Sequence, residues 1–135
     1  GGVGGLFASR LAEIQGDLFV LGAELATPKG KGNVPTIQAV HAERIERWID
    51  EAVDPVPPLR TFVLPGGTPV AAHLHYARTG CRRAERAVVS LADETEVDAG
   101  VVVYLNRLGD HLFALARWVN HRSGVAETPW IASKS

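Results

Sequence analysis

Leu11, Ile14, Leu18, Leu21 and Leu25 recur at alternating steps of three and four residues, which is the seam of a helix packed in a bundle. That pattern predicts a first helix from Leu6 to the stop signal Thr27-Pro28-Lys29-Gly30-Lys31-Gly32, where Pro and Gly interrupt helical hydrogen bonding. Ile37, Val40, Ile45, Trp48, Ile49 and Ala52 repeat in the same way. They predict a second helix over Thr36 to Ala52, with Thr36 as N-cap and with Glu43, Arg44, Glu46, Arg47, Asp50 and Glu51 on an exposed face. The third helix is predicted from Pro69 to Leu91, because Thr68 can cap it and Pro is favoured at the first helical position. Its apolar stripe is Leu74, Ala77, Cys81, Ala84, Val88 and Leu91. A fourth helix over Val97 to His121 buries Val102, Leu105, Leu112, Ala116 and Val119. No segment alternates with the period of two that a half-buried strand requires. The expectation is therefore an all-α, antiparallel helical bundle of four helices, residues 1–135 forming one domain.

Pro55, Pro57, Pro58 and Pro65 stiffen the stretch before the third helix and exclude helix from it. Within that stretch Phe62-Val63-Leu64-Pro65-Gly66-Gly67 holds an aromatic side chain beside the third helix. A chain of 135 residues suits a single core. Its net charge of −1 argues against a general nucleic-acid or membrane-surface binder, both of which need an excess positive field. One cysteine allows no internal disulfide. No apolar run approaches the roughly 20 residues that span a bilayer. The start, Gly1-Gly2-Val3-Gly4-Gly5, offers no packing surface, and the chain has no methionine; the expectation is that an N-terminal portion is missing.

The candidate chemistry sits on the third helix. Arg78, Arg82, Glu85 and Arg86 share one face beside the apolar stripe. Three arginines at successive turns require something anionic opposite them, either carboxylates of another helix or a phosphate, since a guanidinium suits both. In the first case Arg82, Glu85, Arg86 and Asp110 form a structural salt-bridge network, Asp110 reaching Arg78, Arg82 or Arg86 from an antiparallel fourth helix. In the second the arginines bind phosphate, Asn106 orients the ligand and Phe62 shapes a neighbouring apolar cavity. Spacing leaves both open. Other chemistries fit poorly: His73 and His75 diverge on a helix, no Glu-x-x-His pair exists for a metal, and Lys29 and Lys31 lack the spacing of a P-loop. Cys81, on the apolar stripe, reads as an inert core thiol.

The segments Phe62-Val-Leu-Pro-Gly-Gly, Leu74-His-Tyr-Ala-Arg78, Cys81-Arg-Arg-Ala-Glu-Arg86 and Tyr104-Leu-Asn-Arg-Leu-Gly-Asp110, together with Ile14-Gln15 and Gly22-Ala-Glu-Leu-Ala-Thr-Pro28, resemble the PduO-type ATP:cob(I)alamin adenosyltransferases. The resemblance runs from about Leu6 to Trp130. It implies a five-helix bundle assembled as a homotrimer with active sites between subunits. The implied reaction moves the 5′-deoxyadenosyl group of ATP to Co(I) of a corrinoid, giving adenosylcobalamin and triphosphate, with Mg2+ on the phosphates. By position, Arg82, Arg83, Glu85, Arg86 and Asn106 match segments that bind ATP. Arg78 matches an arginine that pairs with an aspartate across the subunit interface, and Phe62 matches the aromatic that displaces the lower ligand of cobalt. A reductase and an adenosylcobalamin-dependent mutase are the implied protein partners, and the family's bacterial members place it in the cytoplasm. The family's N-terminal phosphate loop and first helix have no counterpart here. A non-catalytic nucleotide- or corrinoid-binding bundle is the alternative expectation.

Overall fold

A computed structural model describes residues 2–28, 30–57 and 67–125. Four helices account for most of them: α1 Gly2–Ala26, α2 Ala39–Val53, α3 Pro69–Ala92 and α4 Ala99–Arg122. Cross-helix contacts set their directions. Thr68 meets Asn120, Arg78 meets Phe113 and Glu85 meets Asn106, so α3 and α4 run antiparallel, as their short connection predicts. Asp17 meets Arg44 and Arg10 meets Glu51, so α1 runs antiparallel to α2. The result is an up-down-up-down bundle in which α4 packs against both α2 and α3.

Local chemistry explains the ends of α3 and α4. The Thr68 hydroxyl accepts the Ala71 N–H at 3.1 Å with Pro69 in the first turn, and the Asp98 carboxylate accepts the Gly100 N–H at 2.8 Å. Gly67 precedes the α3 cap at φ 99°, and a Cβ there would lie 2.4 Å from the Asn120 side chain. Both the left-handed backbone and the close approach admit only glycine.

Three expectations require correction. First, α2 begins at Ala39 rather than Thr36. The Ile37 N–H is tied to Glu24 Oε1 on α1 at 2.7 Å, and the Gln38 N–H donates to His41 Nδ1 at 2.8 Å, so the cap moves to Gln38, whose backbone is extended. Second, α1 begins at Gly2, upstream of Leu6. Its inward seam is Ile14, Asp17 and Leu21, while Leu18 is 39% exposed, because Asp17 takes the inner position to meet its partners. Third, Val40 of α2 and Ala77 and Ala84 of α3 face solvent. His75, buried on α3, and Arg44, half-buried on α2, turn inward instead. The core joins Ile14 and Leu21 to Ile45 and Trp48, Leu74 and Val88, and Val101, Tyr104, Leu105 and Leu108. Among the described residues no helix is long and apolar enough to cross a membrane.

Candidate functional site

The described residues singled out from sequence lie on α3 and α4, two helices that pack against each other. Asn106 and Glu85 face each other, the Asn106 Nδ2 donating to Glu85 Oε2 at 3.4 Å. One turn earlier on α3, the thiol of Cys81 donates to the Leu105 carbonyl at 3.2 Å. Burial, reinforced by the negative charge of Glu85, pushes that thiol up to about 11, which makes it the unreactive core group expected. Arg82, Arg83 and Arg86 are exposed on the same helix. No ion pair among the described residues engages them or Arg78.

That observation separates the two readings of the arginine helix. A salt-bridge network would place Asp110 or Glu85 on these guanidiniums, yet Asp110 is exposed and no ion pair to an α3 arginine forms among the described residues. Cations left uncompensated beside an amide and a carboxylate form a surface able to receive an anion.

Arg78 differs from the others. It is half-buried, its guanidinium lies 4.9 Å from the centre of the Phe113 ring, and its Nε is buried without a hydrogen-bond partner. His75 meets the same ring edge-on at 5.8 Å. Phe113 is therefore contacted from α3 by both a cation and an imidazole. It also forms one wall of a cavity of about 270 Å³ between α2 and α4, shared with Ile49, Val53, Val56, Asp110 and Arg117. The Arg117 guanidinium donates to the Pro57 carbonyl at 2.9 Å, bringing the proline-rich connection to the edge of that cavity. Phe62 lies outside the described residues.

A cluster that sequence reasoning missed lies on the opposite side of α4. Asp17 is buried on α1, where it accepts a 2.8 Å hydrogen bond from the Tyr104 hydroxyl and pairs with the Arg44 guanidinium, with His41 Nε2 4.0 Å away. Burial and the bond to Asp17 push the Tyr104 hydroxyl far up, so it stays protonated as the donor. The available signal was an aspartate in the middle of an apolar seam.

With this geometry, residues 5–119 match the family model described as Cobalamin adenosyltransferase. The chain belongs to the cobalamin adenosyltransferase family. The resemblance read from its motifs is thus upheld. Human corrinoid adenosyltransferase MMAB is 41% identical over 129 residues, covering 92% of this chain and 52% of that protein. The corrinoid adenosyltransferase PduO of Citrobacter freundii is 45% identical over 114 residues, covering 82% and 34% respectively. A variant of the PduO-type ATP:corrinoid adenosyltransferase from Lactobacillus reuteri, solved with cobalamin and ATP, superposes with a TM-score of 0.88 at 36% identity, over 93% of this chain and 70% of that one. The chain spans about half the length of the mammalian relatives it matches.

Proposed function

We propose that this chain carries the adenosyltransferase activity of its relatives, moving the 5′-deoxyadenosyl group of ATP to Co(I) of a corrinoid. The observation that carries this reading is the arginine face of α3 beside Glu85 and Asn106, which no ion pair among the described residues engages. In this reading Arg82, Arg83, Glu85, Arg86 and Asn106 hold ATP. The Co(I) electron pair forms the bond to C5′, the C5′–O bond breaks, and triphosphate leaves with its negative charge facing arginines already in place. Mg2+ enters with the nucleotide, so MgATP and the corrinoid are both substrates. The protein's part is orientation and electrostatics, since the metal supplies the nucleophile.

Arg78, with its buried donor unsatisfied, suits a partner carboxylate from a neighbouring subunit, which fits a homotrimer. Phe62 covers the lower face of the corrinoid and keeps water from the cobalt. Delivery of the electron by a reductase, use of the product by an adenosylcobalamin-dependent mutase and a cytoplasmic setting complete the proposal.

The test is anaerobic mixing of MgATP with chemically reduced cob(I)alamin, followed by the Co(I) absorbance. It uses this chain and a chimaera that adds the N-terminal part of the Bacillus subtilis relative, of which the chain covers 63%. Conversion to the adenosylcobalamin spectrum by either is expected. No conversion by both, with binding of only one substrate, moves the assignment to a non-catalytic binding bundle. Phe62→Ala should leave ATP affinity unchanged while slowing adenosylation of Co(II) substrate; equal losses in both would end the lid role.

A further inference from the structure

We infer that Glu46 and Arg107 are positioning residues for Asn106, holding its carboxamide so that the NH2 group, not the oxygen, faces the nucleotide site. This rests on the proposed reading of Asn106 as an ATP contact. The structural basis is a hydrogen-bonded line across three helices. Glu46 Oε1 on α2 accepts from Arg107 Nε at 2.8 Å, Arg107 Nη1 donates to Asn106 Oδ1 at 2.7 Å, and Asn106 Nδ2 donates to Glu85 Oε2 on α3 at 3.4 Å.

Only one amide orientation satisfies both neighbours of Asn106. A flipped amide would set its NH2 against a guanidinium, which has no acceptor, and its oxygen against a carboxylate, which has no donor. With Oδ1 turned to Arg107 and one Nδ2 hydrogen given to Glu85, the second Nδ2 hydrogen is the donor Asn106 offers a ligand, which suits an acceptor atom such as a hydroxyl oxygen, a ring nitrogen or a phosphate oxygen. Arg107 performs this role because its planar fork serves two acceptors through two different nitrogens. Glu46 fixes the plane of that fork.

The Glu46–Arg107 pair contributes little as a stability element. Its side chains are 47% and 37% exposed, and ion pairs in such surroundings are weak. Its effect should therefore show in ligand binding with the fold intact.

Calorimetric titration of the full chain with MgATP tests this. Glu46→Ala should raise the Kd for ATP about tenfold, the scale of a hydrogen bond to a charged group, with the thermal midpoint and corrinoid affinity unchanged. Glu46→Gln, whose amide oxygen still accepts from Arg107, should restore most of the affinity. Arg107→Lys should fail as badly as Arg107→Ala, because one ammonium cannot hold both acceptors in this geometry. In an Asn106→Ala background Glu46→Ala should have no further effect, since the two changes remove one interaction. Tight binding by the parent chain with Glu46→Ala silent, or additive with Asn106→Ala, overturns the inference alone. So does a Glu46→Ala chain that loses affinity only together with its thermal midpoint and is not restored by glutamine. A parent chain that binds no MgATP removes the nucleotide reading, and this inference with it.

Discussion

Two groups of arginines in this bundle face opposite circumstances. Arg44, on α2, reaches inward to a buried carboxylate that also holds the Tyr104 hydroxyl. Arg82, Arg83 and Arg86, on α3, stand in solvent with no ion-pair partner among the described residues. Arg44 compensates a charge that the core cannot leave alone, and its role ends within the fold. The α3 arginines compensate no charge among the described residues, and their concentration on one helix beside Asn106 is what the proposed nucleotide site rests on. Arg78 lies between these cases, half-buried against Phe113 with one donor unsatisfied. Compensation, more than burial, separates the two groups.

The contrast is sharpest for Asp17. Replacing it with Ala leaves Arg44 and Tyr104 facing each other without an anion, and breaking such a buried pair typically costs about 3–5 kcal/mol. Denaturant unfolding should show that loss; a loss below about 1 kcal/mol would mean that water replaces the carboxylate.

The next largest effect comes from pH at the same junction. His111 is 2% exposed, stacks obliquely with Trp48 at 5.7 Å, and is pushed down to about 4 by burial and by the nearby Arg10 charge. Unfolded histidine takes a proton near pH 6.5, whereas the folded one resists until about pH 4. Stability is therefore full above pH 6.5 and falls as pH drops toward 4, by on the order of 3 kcal/mol. His111→Leu should flatten that part of the pH–stability curve, while a curve unchanged by the substitution would assign the acid sensitivity elsewhere.

Tyr104→Phe removes one hydrogen bond to a charged acceptor and should cost about 1.5–3 kcal/mol in unfolding free energy. At the other extreme, Arg82→Ala should alter stability by less than about 0.5 kcal/mol, as exposed substitutions do. It should still weaken MgATP binding about tenfold, the scale of a lost charged hydrogen bond. If Arg82→Ala instead lowers the melting temperature like Asp17→Ala, the division between inner and outer arginines fails.

How much of this was legible depended on how local the cause was. Thr68-Pro69 announced the start of α3 because a cap and a preset φ act within a few residues. The start of α2 was misplaced because the deciding hydrogen bond comes from Glu24, 13 residues away on α1. The candidate set Arg78, Arg82, Arg86, Glu85 and Asn106 was readable from helical periodicity and motif. The partners Phe113, His75 and Arg107, and the seating of Asp17 against Arg44 and Tyr104, were not.

By itself the amino-acid sequence determined four helices, their antiparallel succession and the face of α3 that carries charge, since these follow from periodicity, caps and short connections. Tertiary structure alone decided which charges are compensated. Asp17 and Asp110 are the same residue on two helices, and only packing buries the first against Arg44 and leaves the second exposed. Compensation is a distance between groups remote in the chain, and one-dimensional spacing does not contain it.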